Sequence, residues 1–143
     1  MHELTRVKAR GVRFRAWLWN GTEYQIHFQS FRVENSSTSY TLRLGGFNSY
    51  ASGTVPDKCE SQFLSNSDRK FSTIDRDNND QARNCAKQFT GAGWWYNKCT
   101  FVSPNVKYCP SDKCGSNSKN IKVDCLMGAA YSMKRFQIDL FMK

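Results

Sequence analysis

Cysteine usage constrains this chain more than any other feature of its sequence. Six cysteines occur in 143 residues, and all of them fall between Cys59 and Cys125. An even number of cysteines in so short a chain predicts disulfide bonds and an oxidising, extracellular compartment. A zinc site would need closely paired ligands, whereas Cys109 and Cys114 are separated by four residues. We therefore predict a domain that is stapled by disulfides.

The length and hydropathy of the chain favour one secreted domain. A chain of 143 residues can bury one hydrophobic core and hardly two, so residues 1–143 are expected to form a single domain. No apolar run approaches the ~18 residues that span a bilayer, which predicts no membrane insertion. Two glycosylation sequons begin at Asn20 and Asn35 and fit secretion. Because residues 1–10 are polar throughout and lack the form of a signal peptide, we expect a removed leader or a longer parent protein.

The basic charge of the chain is spread out rather than concentrated. The formal net charge is +9, and the cations between residues 1 and 34 alternate with acidic and apolar residues. A dispersed excess of this kind is typical of a solvated surface and not of a nucleic-acid footprint. The sequence therefore predicts no nucleic-acid partner, while acidic glycans and anionic cell surfaces are plausible partners.

Hydrophobic periodicity predicts a sheet in the first third of the chain. Apolar residues alternate with polar ones from 12 to 18 and again from 24 to 28, on either side of the turn sequence Asn20-Gly-Thr. This pattern is typical of a β-hairpin. Phe31, Val33 and the stretch from Tyr40 to Leu44 add further strand material, which is expected to stop at Gly45. We predict an antiparallel meander.

The rest of the chain is predicted to be mostly loop. Residues 47–70 and 100–120 are rich in turn-forming residues, whereas Ala82, Cys85, Ala86 and Phe89 have helical spacing. Asp80 or Asn79 would cap this short helix. A returning strand is expected at the end, within residues 132–143. The predicted fold class is α+β, with an antiparallel twisted sheet and one short helix in residues 1–95 and a loop-rich, disulfide-stapled segment in residues 96–131.

The stretch IDRDNND, residues 74–80, is the most acidic part of the chain. An EF-hand loop that began at Asp75 would need glycine at its sixth position and glutamate at its twelfth, but those positions hold Asp80 and Ala86. An irregular calcium loop is still possible, because carboxylate and carbonyl oxygens both bind this ion. An Asx-rich turn that caps the following helix is equally compatible with the composition.

Several motifs together resemble the fibrinogen C-terminal domain family. FSTIDRDNND is followed by NCAKQF, GWWYNKC and YSMK, and it is preceded by HELT, FRV and YTLRLGGF. The resemblance covers nearly the whole chain, although the N-terminal part that the family usually has is missing from this sequence. It implies an extracellular recognition domain, a lectin or a binder of protein partners in defence or adhesion, and not an enzyme. It also implies that Trp94 and Trp95 belong to the core.

The resemblance implies a calcium site and one disulfide. By position, the ion would be bound by the side chains of Asp77 and Asn79 and the backbone carbonyls of Gln81 and Arg83, with Asp75 and Asp80 as possible further contributors. Asn79 replaces an aspartate of the family and Arg83 a glycine, and both changes are expected to weaken the site. The implied disulfide joins Cys85 to Cys99. Three pairings stay open for the remaining four cysteines, which are Cys59, Cys109, Cys114 and Cys125.

The implied ligand pocket is altered. Acetyl-binding members bind their ligand beside a Cys-His pair, and here the histidine has become Thr100. The residues expected to contact a ligand are Tyr96, Lys98, Cys99, Thr100, Tyr108, Asn117 and Tyr131, with Asn117 in the place of a family tyrosine. Two functions follow: a lectin-like domain that binds carbohydrate or acidic glycan with calcium support, or a structural or protein-interaction module with a degenerate sugar pocket. No catalytic motif is recognisable, and an oligomer or a partner chain is compatible with either function.

Overall fold

The computed structural model describes residues 1–6, 8, 10–115 and 119–142, and four of the six strands in these residues form one antiparallel sheet. The strands of the sheet are β1 (Arg10–Trp17), β2 (Glu23–Val33), β3 (Leu42–Phe47) and β6 (Arg135–Met142). Their order across the sheet is β3-β2-β1-β6. The predicted hairpin and returning strand are confirmed, because β1 pairs with β2 around the Asn20-Gly-Thr turn and β6 pairs with β1. The last strand of the chain thus lies beside the first.

Short elements complete the α+β fold. Helices α1 (His2–Arg6) and α2 (Ser49–Ser52) flank the sheet strands in sequence, and a 3₁₀ turn spans Ser36–Thr38. Helix α3 (Lys58–Leu64) precedes the acidic stretch, and α4 (Cys85–Gln88) follows it. A two-stranded ribbon of β4 (Val102–Ser103) and β5 (Lys122–Val123) leads into α5 (Asp124–Met127). None of the described helices is long and apolar enough to cross a membrane.

The alternation of strand residues builds the core on one face of the sheet. Val12, Phe14 and Ala16 are at most 2% exposed and lie between Ile26 and Phe28 of β2 on one side and the inward residues of β6 on the other. Phe63 of α3 closes this layer, with its ring centroid 4.9 Å from that of Phe14. The buried residues of this face belong to one continuous hydrophobic core with Phe63 and the loop segments, so the sheet is the scaffold on which the loops are placed.

The described residues contain five short helices where the sequence predicted one, and three segments differ from the prediction in detail. Residues 47–70 contain α2 and α3 rather than loop alone, because Asn48 caps the first helix and the buried pair Cys59 and Phe63 anchors the second. Strand β3 does not stop at Gly45 but continues to Phe47. Helix α4 begins at Cys85, and its cap is Asn84, whose Oδ1 accepts a hydrogen bond from the Lys87 amide at 3.0 Å.

Candidate functional site

Three disulfides hold the loop-rich half of the molecule. Cys85 and Cys99 are joined, as the resemblance implies, and this bond ties α4 to the segment that follows Tyr96. Of the three pairings left open, the structure has Cys59–Cys125, which joins α3 to α5, and Cys109–Cys114, which closes a small loop. All six cysteines are bonded, so no thiol is available as a nucleophile.

The first half of the acidic stretch is a closed turn. The backbones of Thr73 and Arg76 exchange two hydrogen bonds, and Thr73 Oγ1 donates to Asp75 Oδ1 at 2.6 Å. This hydrogen bond is the main reason that the pKa of Asp75 lies below its usual value. Asn78 fixes the turn to the core, since its side chain donates to the Phe71 carbonyl at 2.9 Å and its amide donates to Ser72 Oγ at 2.9 Å. Asp75 is thus bonded within its own turn.

The second half is closed by the side-chain amide of Asn79. Its Nδ2 donates to Asp77 Oδ1 and, at 3.3 Å, to the Arg83 carbonyl, and its Oδ1 accepts from the Gln81 amide at 2.7 Å. These contacts fix the orientation of the amide, because Oδ1 faces a donor while Nδ2 faces two acceptors. The amide nitrogen therefore stands between two of the oxygens that the resemblance assigns to calcium.

This arrangement does not fit a calcium ion. Calcium requires six to eight oxygen ligands around one point, whereas here two of the candidate oxygens face an N–H donor. Asp80 is paired with Arg69, and among the described residues no group of three or more acidic, histidine or cysteine side chains is placed to hold a metal. No step of the function proposed below depends on calcium, and thermal melts in calcium and in chelator would test whether Asp77, Asn79, Gln81 and Arg83 bind the ion as the resemblance implies.

The segment expected to contact a ligand divides into buried and exposed parts. Tyr96 is only 1% exposed, and its hydroxyl donates to the Ala92 carbonyl at 2.6 Å. Burial raises the pKa of this phenol well above its usual range. Cys99 is buried in its disulfide, whereas Lys98 is exposed. As placed here, Tyr96 and Cys99 contribute to the core and only Lys98 faces solvent beside them.

Asn66 explains the placement of Thr100. This buried amide accepts hydrogen bonds from Trp94 Nε1 at 3.2 Å and from Thr100 Oγ1 at 3.1 Å, and its Nδ2 donates to the Phe63 carbonyl. Thr100 therefore joins a hydrogen-bonded network between α3 and the Trp pair, and Trp94 and Trp95 lie in the core as expected. Asn117 lies outside the described residues. The residues from 96 to 100 thus form a structural support rather than an open pocket.

The other two aromatic residues of the expected set lie on a different surface. Tyr108 is 56% exposed, and its hydroxyl donates to the Lys134 carbonyl at 3.2 Å. Tyr131 is half-buried, and its hydroxyl accepts a hydrogen bond from the Trp19 amide at 2.9 Å. The Lys134 ammonium is 5.8 Å from the Trp19 ring centroid. Lys134, which contacts Tyr108, therefore also contacts Trp19, which is hydrogen-bonded to Tyr131.

Tyr108 separates two open clefts. One, of about 350 Å³, is lined by Thr90, Pro110, the Cys109–Cys114 disulfide, Lys107 and Lys119. The other, of about 330 Å³, is lined by Trp17, Leu18, Gly21, Lys134 and Arg135. We call this region the Tyr108 surface and define it by Trp17, Lys107, Tyr108, Lys119, Lys134 and Arg135. Tyr108 was expected from the sequence, but the four cations were missed because they come from separate segments and form no run in the sequence.

The fold and the disulfide-stapled loops define the class of protein. The structure of this chain matches the fibrinogen-like globe domain of human ANGPTL6 with a TM-score of 0.88 and 26% sequence identity, and the match covers 99% of this chain and 60% of that globe. The family model described as "Fibrinogen beta and gamma chains, C-terminal globular domain" matches residues 1–142. The chain therefore belongs to the fibrinogen C-terminal domain family, an assignment that supports an extracellular recognition or interaction module.

Individual relatives agree with this assignment. Rat tenascin-R is 40% identical over 105 residues, which cover 72% of this chain and 7% of tenascin-R. The fibrinogen beta chain of the lamprey Petromyzon marinus is 29% identical over 119 residues, or 76% of this chain and 25% of that protein. The chain thus spans only a small part of these relatives, so the similarity concerns their globular domain.

Proposed function

We propose that this chain is a secreted recognition protein that binds glycans at the Tyr108 surface. The observation that carries the proposal is the position of Tyr108, a largely exposed aromatic ring between two open clefts on a disulfide-closed loop. Aromatic faces stack on the apolar faces of sugar rings, and an anchored tyrosine offers this contact area at little entropic cost. The family membership and the three disulfides are consistent with secretion.

The mechanism is binding without bond making. The Cys109–Cys114 bond and the hydrogen bond from Tyr108 to Lys134 hold the ring in place before the ligand arrives, which lowers the cost of ordering on binding. Sugar hydroxyls would find further donors in the ammonium groups on both sides of the ring. Roles in innate defence or in cell adhesion are compatible with such binding and stay predictions.

Glycan-array binding of the oxidised chain tests this proposal. Replacement of Tyr108 by alanine is expected to abolish most of the array signal, because the shared wall of both clefts is removed. The matched control is Tyr50→Ala, since Tyr50 is 96% exposed and lines neither cleft. Equal loss in both variants, or no glycan binding by the unchanged chain, would contradict the proposal.

A second candidate function, docking of a protein strand, is favoured by the open edge of β6. In the part of the chain that the structure describes, β6 pairs only with β1, and its inward residues Phe136, Ile138 and Leu140 are half-exposed. The opposite edge is closed, since Leu42 exchanges backbone hydrogen bonds with residues 68 and 69. An unpaired strand edge with apolar side chains can accept an added strand.

Hydrogen exchange with an extracellular partner present would separate the two functions. Strand addition is expected to protect the amides of β6, whereas glycan binding at the Tyr108 surface leaves most of them unprotected. Unchanged exchange throughout β6 with a bound protein partner would exclude this second function.

A further inference from the structure

Ion pairs neutralise some basic residues of the chain, whereas the cations of the Tyr108 surface have no acidic partner among the residues that the structure describes. Arginines 6, 13, 15, 43 and 69 and Lys122 all form ion pairs within the described structure. In the same described ranges, Lys107, Lys119, Lys134 and Arg135 form none, and all four are exposed. Ion pairing among the described residues therefore neutralises part of the positive charge of the chain but none of the positive charge at this surface.

The placement of these cations on both sides of one aromatic ring defines a ligand class. Lys107 and Lys119 line the first cleft, and Lys134 and Arg135 line the second. No acidic side chain among the described residues lines either cleft. Asp112, the acidic residue of the small disulfide loop, is half-buried, and its Oδ1 accepts a hydrogen bond from Ser111 at 3.3 Å. Two walls of positive charge thus face the solvent around Tyr108.

Trp17 adds a second aromatic group to this surface. The guanidinium groups of Arg15 and Arg135 lie 4.6 and 4.7 Å from the Trp17 ring centroid. Arg15 is neutralised by Glu23 at 2.7 Å, whereas Arg135 donates only to a neutral partner, Gln137, at 2.7 Å. The Trp17 ring and the hydrogen bond to Gln137 restrict the Arg135 guanidinium, and its remaining N–H groups can donate to a carboxylate or a sulfate.

We propose that the Tyr108 surface selects acidic glycans. A sugar ring of the ligand stacks on Tyr108. Its sulfate or carboxylate groups are bound by Lys107 and Lys119 in the first cleft and by Lys134 and Arg135 in the second. This inference rests on the function proposed above and assigns the ligand class of the same site. A linear glycan with repeated anionic groups can occupy both clefts at once, because the two clefts meet at Tyr108. Neutral sugars would use only the aromatic contact and would bind more weakly.

Titration calorimetry with a heparin oligosaccharide tests the proposal. Two double variants are compared with the unchanged chain: Lys107→Gln with Lys119→Gln, and Lys134→Gln with Arg135→Gln. Each is expected to lower the affinity about five- to tenfold, the effect of losing two exposed charge contacts. The matched control, Lys58→Gln, removes an exposed charge of α3 that lines neither cleft and is expected to leave the affinity unchanged.

Two further ligands distinguish the outcomes. A fully desulfated, carboxylate-bearing glycan shows whether sulfate is needed, and neutral dextran shows whether charge is needed at all. Raising the salt concentration should weaken binding of the acidic ligands, because exposed charges are screened within about 8 Å at physiological ionic strength. Equal binding of dextran and heparin, with no loss in either double variant, would overturn the acidic-ligand inference but leave glycan binding intact. Absence of binding to every glycan would instead overturn the proposed function.

Discussion

The side-chain amide of Asn79 bridges, within its loop, two oxygens that the resemblance assigns to a calcium ion. Its nitrogen donates to the Asp77 carboxylate and to the Arg83 carbonyl, so that two oxygens which would repel one another are bridged by one donor. An aspartate at the same position would present an oxygen to these acceptors. We therefore predict that the loop closes by itself with asparagine at residue 79 and needs an ion with aspartate there.

We expect the stability of the unchanged chain to be the same in calcium and in chelator. Asn79→Asp should lower the free energy of unfolding by about 1 kcal/mol in chelator, because two hydrogen bonds are lost, and calcium should restore it. Thermal melts in both conditions measure the difference. Gln29→Glu, an exposed charge change on β2, is the control and should show no response to calcium. A higher melting temperature of the unchanged chain in calcium would refute this account of the loop.

At the scale of the element, the β1–β6 pair combines an apolar inner face with a charged outer face. Asp139 of β6 lies opposite Arg13 of β1, whose Nη2 and Nε donate to Oδ2 at 2.9 and 3.1 Å. Gln137 donates to the other carboxylate oxygen at 2.6 Å. The hydrogen bond from Gln137, followed by that from Arg13, lowers the pKa of Asp139 below its usual value.

This lowered pKa predicts acid sensitivity of the strand pair. The folded state favours the charged form of the Asp139 carboxylate. Its contribution to the free energy of unfolding is therefore complete above the ordinary pKa of about 3.9 and is lost as the pH falls through the lower folded-state pKa. Asp139→Asn should lower the free energy of unfolding by about 1 kcal/mol at pH 7. It should also make the loss of stability between neutral pH and pH 3 smaller than in the unchanged chain. Urea unfolding at both pH values measures this, with Asp68→Asn as an exposed control. An unchanged acid response in Asp139→Asn would count against the contribution of this carboxylate.

The elements also show what sequence patterns can and cannot predict. The β1–β2 hairpin and β6 were predictable, because residues such as Phe14 and Ile138 follow the period of two that a half-buried strand imposes. Helix α3 was missed, since only Cys59 and Phe63 are buried within its seven residues and polar neighbours hide their spacing. The Tyr108 surface could not be predicted, because Trp17, Lys107 and Arg135 are brought together only by the tertiary fold.

At the scale of the whole molecule, the disulfides stabilise the fold unequally. Cys59 and Cys125 lie 66 positions apart and connect α3 to α5, whereas Cys109 and Cys114 lie five positions apart. The constraint on the unfolded chain grows with the length of the closed loop. The long-range bond is therefore expected to set the global stability, and the short one mainly to shape the loop that carries Tyr108.

Paired replacement by alanine tests this division. Cys59→Ala with Cys125→Ala is expected to lower the free energy of unfolding by about 4 kcal/mol, and Cys109→Ala with Cys114→Ala by about 2 kcal/mol. Guanidinium unfolding of the oxidised proteins gives both values. The second pair should also weaken glycan binding, because the Tyr108 loop is no longer closed. A larger loss of stability from the short-range pair would contradict the proposed order.

The two edges of the sheet have a consequence for self-association. A sheet extends into a filament only if each copy has two strand edges that can pair with other copies. The β3 edge is already occupied at Leu42, which is hydrogen-bonded to residues 68 and 69. Copies that meet through β6 would use up the one edge that the described structure leaves open, so assembly would end at a closed pair. The same asymmetry that exposes a strand for docking is thus expected to limit association through sheet edges to pairs of copies.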